Sequence, residues 1–143
     1  MISEFSYNFP ALRGNQSGKE YYVVMVPLNL IPKIFLFDKE ELQPEIRSRH
    51  ILNKSRIPDI VNNMLEHHKE YIFSSFTASI DGEIQFKPYS DDLNFKDLGN
   101  LLVSLDSRFL VNDGQHRVTA IEEVLKVSPE LGTETISVVF LHD

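Results

Sequence analysis

Residues 108–125 constrain this chain more than any other stretch. An apolar run, Arg108-Phe109-Leu110-Val111, leads into Asn112-Asp113-Gly114-Gln115-His116-Arg117, and a helical pattern of Val118, Ile121, Val124 and Leu125 leads out. The order is strand, tight polar turn, helix start. The first amides of a helix have no partner within it, and the helix dipole adds a partial positive charge there. An anion is favoured at such an end, phosphate above all. Gly114 lets the backbone turn and approach a ligand closely, while His116 and Arg117 supply side-chain donors. Asp-Gly is also a common turn dipeptide, and a histidine or arginine in a first helical turn is often simply solvated. Local chemistry leaves both readings open.

The remaining pattern is mixed. Phe5, Tyr7 and Phe9 alternate before Pro10, which predicts a short edge strand with a turn around residues 14–18. Residues 20–27 are rich in strand formers and are expected to be buried on both faces. Pro32 divides residues 28–37 into two short pieces. Residues 38–42 fit a short helix capped by Asp38. In residues 55–71, Ile57, Ile60, Val61, Met64, Leu65 and His68 recur at helical spacing. Asp81-Gly82 has the chemistry of a type I′ turn, which predicts a hairpin of residues 72–80 with 83–89. An acidic loop at 90–94 and a short amphipathic helix at 95–105 are expected next. A strand at 108–112, a helix at 115–126 and a closing strand at 135–141 complete the reading. Strands and helices alternate without regular βαβ spacing, so the class is α/β or α+β, with a small mixed β-sheet and packed helices.

With 143 residues the chain suits one domain, 1–143. Its 42% hydrophobic and 24% charged residues are those of a globular protein. No apolar run is long enough to span a membrane and no signal-peptide order is present, so the expectation is cytoplasmic. The absence of cysteine excludes disulfides, thiolate metal sites and cysteine catalysis. His67 and His68 would face different directions on a helix with no third ligand placed, so no metal site is expected from them. Net charge is −7, against broad nonspecific DNA binding, yet binding depends on the local field. Between Ile46 and Ile57 stand Arg47, Arg49, Lys54 and Arg56, with His50 and no acid. That run fits a phosphate contact, of a nucleotide or of DNA, and equally a solvated connector paired with the acids before it.

The run Asp113-Gly114-Gln115-His116-Arg117 resembles the signature of the DGQHR-domain family, which is related to the ParB/sulfiredoxin-like fold. Gly114, Arg117 and Ala120 match the glycine, arginine and alanine of the ParB pattern. Gly114, His116 and Arg117 match sulfiredoxin, but Gln115 stands where sulfiredoxin has its catalytic cysteine. Thiol chemistry is therefore not carried over. Through most of its length the chain is similar to the DndB-like members, proteins of DNA phosphorothioation (DNA sulfur modification) systems, which are usually longer. Arg49 and Arg56 fit the arginines those proteins carry before and just inside a helix, although Ser48 stands where glutamine is usual.

The resemblance implies a DNA-binding transcriptional regulator whose partner is the modification-operon promoter. In that reading Gly114 and the following amides hold phosphate, and His116 and Arg117 neutralise it. Gln115 bonds a neighbouring phosphate or base, and Asp113 caps the helix or holds a cation. Arg47, Arg49, Lys54 and Arg56 complete a basic wall against DNA. The cofactor would be ATP or another nucleotide with Mg2+, and a homodimer would suit a palindromic operator. The alternative is an NTPase or a nuclease of a linked defence system using the same pocket. Asp113, Asp91 and Asp92 are its candidate acids, Asp113 foremost, and no Walker A run accompanies them. An interaction module with a vestigial pocket is the third reading. Replacing His116 and Arg117 by alanine is expected to abolish phosphate binding with little change in stability.

Overall fold

A computed structural model describes residues 5–35, 57–66, 75–113 and 115–142. Its centre is a seven-stranded mixed sheet, and helices join its core. The strands are β1 (Ser6–Gln16), β2 (Lys19–Pro27), β3 (Phe76–Asp81), β4 (Ile84–Pro88), β5 (Leu98–Ser104), β6 (Arg108–Asp113) and β7 (Thr135–His142). Their order across the sheet is β4-β5-β1-β2-β7-β3-β6. All neighbours are antiparallel except β3 and β7, which are parallel. The helices are α1 (Ile31–Ile34), α2 (Ile57–Glu66) and α3 (Gln115–Val127), followed by a 3-10 turn at Pro129–Thr133. The architecture is α+β, as the pattern implied. No helix among the described residues is long and apolar enough to cross a membrane.

The sheet cannot be flat. Only Gly82 and Glu83 join β3 to β4, yet a flat sheet would hold those strands about 24 Å apart, five strand spacings. A two-residue link reaches only about 11 Å. The three-residue link from β5 to β6 makes the same demand. The sheet therefore curls on itself, and β1 turns the corner. Its residues 6–12 pair with β5, while residues 11–16 pair with β2. The β2 ladder begins at Ala11, just past Pro10, which has no N–H to give. Such corner strands are how one sheet becomes two facing layers.

Alternation puts every second side chain inside the curl. Phe9, Ala11, Val24, Val26, Phe76, Ala78 and Ile80 are buried, as are Leu101, Val103, Phe109, Val138 and Phe140. Phe140 lies at the middle of an aromatic group, with ring centroids 5.8 Å from Phe9, 6.2 Å from Phe35 and 5.6 Å from Phe109. Phe35, immediately after α1, also meets Phe76 edge-on at 6.3 Å. Met64 of α2 and Val118, Ile121 and Val124 of α3 join the same core.

Four local expectations are corrected. The first strand is interior and not an edge, because β5, 80 and more residues away in sequence, pairs with it. Residues 72–80 and 83–89 do not form a hairpin. Asp81-Gly82 makes a sharp turn, but β3 pairs with β6 and β7, and β4 pairs with β5. A Cβ on Gly82 would stand 2.0 Å from the Ser107 hydroxyl oxygen and 2.9 Å from its Cα, so glycine is required where the two links cross. Residues 95–105 are turn and strand, not helix. Finally, β2 buries one face only, since Met25 is 63% exposed. The true hairpin turn is Ser17-Gly18, between β1 and β2, with φ of 56° and 77° as a type I′ turn needs. The helix expected at 38–42 and the histidines at 67 and 68 lie outside the described residues.

Candidate functional site

The motif sits where β6 hands over to α3. Phe109 and Val111 point into the core and pair across to Ile80 and Ala78. Between Thr77 and Ala78 the register shifts, because Thr77 pairs with Asp113 and Ala78 with Val111. Asn112 is thus an extra residue, a bulge that resets the inside–outside alternation one position before the motif. Its side chain donates to Ser79 Oγ at 2.8 Å, tying the bulge to β3. One residue, Gly114, separates the end of β6 from the start of α3. The helix begins there because Val118, Ile121 and Val124 recur on one buried stripe.

The first turn of α3 itself carries no acidic residue, and a helix N-terminus favours negative charge. His116 and Arg117 are both half-buried. Arg117 lies over the ring of Phe76, its Cζ 4.6 Å from the centroid, and an Nη2 hydrogen points at the Ser75 carbonyl 3.5 Å away. Phe76 is fully buried at the start of β3, so it offers a fixed platform. The Ser75 hydroxyl in turn contacts the Ser137 hydroxyl of β7. Arg117 is therefore seated by packing as well as charge. That adds a structural share which the sequence reading, with its expectation of unchanged stability, did not include.

Ser75, Phe76 and Ser137 are the neighbours that sequence reasoning missed as parts of this site. Phe76 and Ser137 lie in other strands and Ser75 directly precedes β3, and no local spacing marks them. Thr77 and Ser79 lie on the side of β3 opposite Phe76 and Ala78. Of the predicted residues, Gly114 and the basic set Arg47, Arg49, Lys54 and Arg56 fall outside the described residues. Asp91 and Asp92 belong to the β4–β5 loop, where an Asp92 carboxylate oxygen accepts from the Asn94 N–H at 2.9 Å. Among the described residues no group of three or more His, Asp or Glu side chains is arranged to hold a metal ion.

A separate cleft of about 520 Å³ opens at the other end of β7, lined by Lys19, Glu20, Tyr22, Ile84, Leu141 and His142. No motif residue lines it. Tyr22 donates its hydroxyl to Glu20 Oε2 at 2.9 Å. Burial, with the hydrogen bond to Glu20 adding to it, pushes the Tyr22 pKa up from 10 to about 12. A folded pKa above the unfolded one gives stability that is whole below pH 10 and is lost as the pH rises toward 12. Urea midpoints at about pH 8 and about pH 11 should therefore fall more steeply for the wild type than for Tyr22→Phe. Equal falls would remove Tyr22 from the alkaline limb.

The model of a family described as DndB, DNA-sulfur modification-associated, matches residues 9–143. No curated protein and no solved structure matches the chain.

Proposed function

The chain belongs to the DndB family of proteins associated with DNA sulfur modification, and from that premise we propose that it is a DNA-binding transcriptional regulator of such a system. In this reading its Asp113–Arg117 motif holds a phosphate, of a DNA backbone or of a nucleotide. The observation that carries the reading is the one-residue passage from β6 into an α3 whose first turn has no acid and whose Arg117 is stacked on Phe76. Helix amides at such an end favour an anion, and a guanidinium held by its face is fixed in orientation, which suits directional contact with phosphate oxygens. His116 adds a second donor. Arg47, Arg49, Lys54 and Arg56 are assigned to the DNA backbone, where arginine and lysine set affinity and not sequence. The protein acts in the cytoplasm, where the DNA is.

A duplex from the promoter of the modification operon tests the reading directly, by fluorescence anisotropy over a range of salt. Binding tighter than to a scrambled duplex is expected. Replacing Arg47 and Arg49 together should flatten the log–log salt slope by about 2, one counterion per lost phosphate contact. A parallel titration with ATP, CTP and GTP, with and without magnesium, is read by thermal shift and phosphate release. It separates a nucleotide pocket from a DNA-backbone contact, and binding from turnover. A protein that binds neither promoter nor nucleotide would sink the reading.

A further inference from the structure

The outer face of β5, β1 and β2 is unlike the solvated face of an ordinary antiparallel sheet, where polar residues alternate outward. Leu12 stands opposite Leu98 on one side and Val23 on the other, and Met25 follows Val23 on the same face. Leu12 is 51%, Met25 63% and Leu98 40% exposed. The β4–β5 loop borders this face with Tyr89, Leu93 and Phe95, which are 60%, 80% and 51% exposed. The loop is tied to the strands and to itself: the Tyr89 N–H donates to the Leu98 carbonyl, Leu98 to Phe95, and Phe95 to Asp92. The Tyr89 hydroxyl donates to Asn100 Oδ1 at 2.5 Å. These side chains are held outward by a hydrogen-bonded frame.

Area and charge say what fits. At roughly 200 Å² for a fully exposed large side chain, the six present about 700 Å². The largest apolar patch of a typical monomer is about 300–600 Å², whereas a standard interface takes about 800 Å² from each partner. The border carries both signs, with Lys87 and Lys96 exposed alongside Asp91 and Asp92. Asp97 is already paired with Arg13, Nε to Oδ1 at 3.1 Å. A balanced border repels neither sign strongly, and in a two-fold contact the acids of one copy have lysines on the same border of the other to pair with. It is poorly suited to DNA, which favours a uniformly positive surface.

We propose that a second copy of this chain docks here, outer sheet face on outer sheet face, in an isologous dimer. β6 and α3 take no part in the contact, so both copies keep the Asp113–Arg117 motif uncovered. The proposal stands whether or not the motif binds phosphate.

Sedimentation velocity over a concentration series tests it, with the wild type expected at twice the 16.5 kDa of the chain. Leu12→Glu, Met25→Glu and Leu93→Glu should each weaken the dimer about tenfold or more, with an unchanged far-UV spectrum. Leu93 lies in the loop, so its replacement tests the contact without touching a strand. Val127→Glu, at an apolar position 67% exposed on α3, should leave the dimer intact. A folded wild type that stays monomeric at the highest soluble concentration overturns the proposal. So does a dimer that tolerates Leu93→Glu together with whichever strand variants fold.

Discussion

Phe140→Ala is expected to destabilise the protein by about 3–5 kcal/mol, the range for removing a buried phenylalanine. Phe140 is fully buried and its ring meets Phe9, Phe35 and Phe109, which come from β1, the segment after α1, and β6. No single neighbour can move in to fill the space, because each is held by a different element. Domains of this size are stable by about 5–15 kcal/mol in total, so the loss is a large share of what keeps the chain folded. Phe140→Leu refills most of the volume and should recover more than half of it. Urea titration followed by far-UV dichroism measures both. A loss under about 1 kcal/mol would mean that the facing layers collapse onto the gap more freely than close packing allows.

Arg117→Ala carries the largest expected effect on function. A hydrogen bond to a charged group contributes about 1.5–3 kcal/mol, so affinity for the proposed phosphate ligand should fall roughly 10- to 100-fold. Stability should fall as well, by about 0.5–2 kcal/mol, as the stack on Phe76 is lost. Two companions separate these effects. Arg117→Lys keeps the charge but loses the planar stack, whereas His116→Ala leaves the stack in place and removes a donor. Ligand titration and thermal melts should show His116→Ala weak in binding and nearly normal in stability. If Arg117→Ala melts early but binds as the wild type does, the arginine is only a clamp between α3 and β3.

Elements whose signal is local could be read directly from the chain. The β6–Gly114–α3 passage, the strand at 135–141 and the helix inside 55–71 all follow from periodicity and punctuation within one window. What failed was non-local. Leu98, Leu101, Leu102 and Leu105 recur at helical spacing, while Gly99, Leu101 and Val103 recur at strand spacing, and only pairing with β1 and β4 decides between them. Asp81-Gly82 turns sharply in either case, but its chemistry cannot say whether the strands it joins will pair. The seat of Arg117 on Phe76 spans 41 positions and leaves no trace in the spacing of either. For β2 the apolar residues run on both faces, but burial needs a layer on each side, and only the face of Tyr22, Val24 and Val26 has one, while Met25 stays 63% exposed.

The place of β7 governs how this chain can be made. Of the seven described strands it is the last in chain order, yet it lies in the middle of the sheet, between β2 and β3. Until Thr135–His142 emerges, the nascent chain holds two partial sheets, β4-β5-β1-β2 and β3-β6, with the edges of β2 and β3 unpaired. Open edges of that kind recruit other strands. Such long-range pairing is also slow to form. Synthesis interrupted before Thr135 should therefore yield material that aggregates or is degraded, not a smaller working protein.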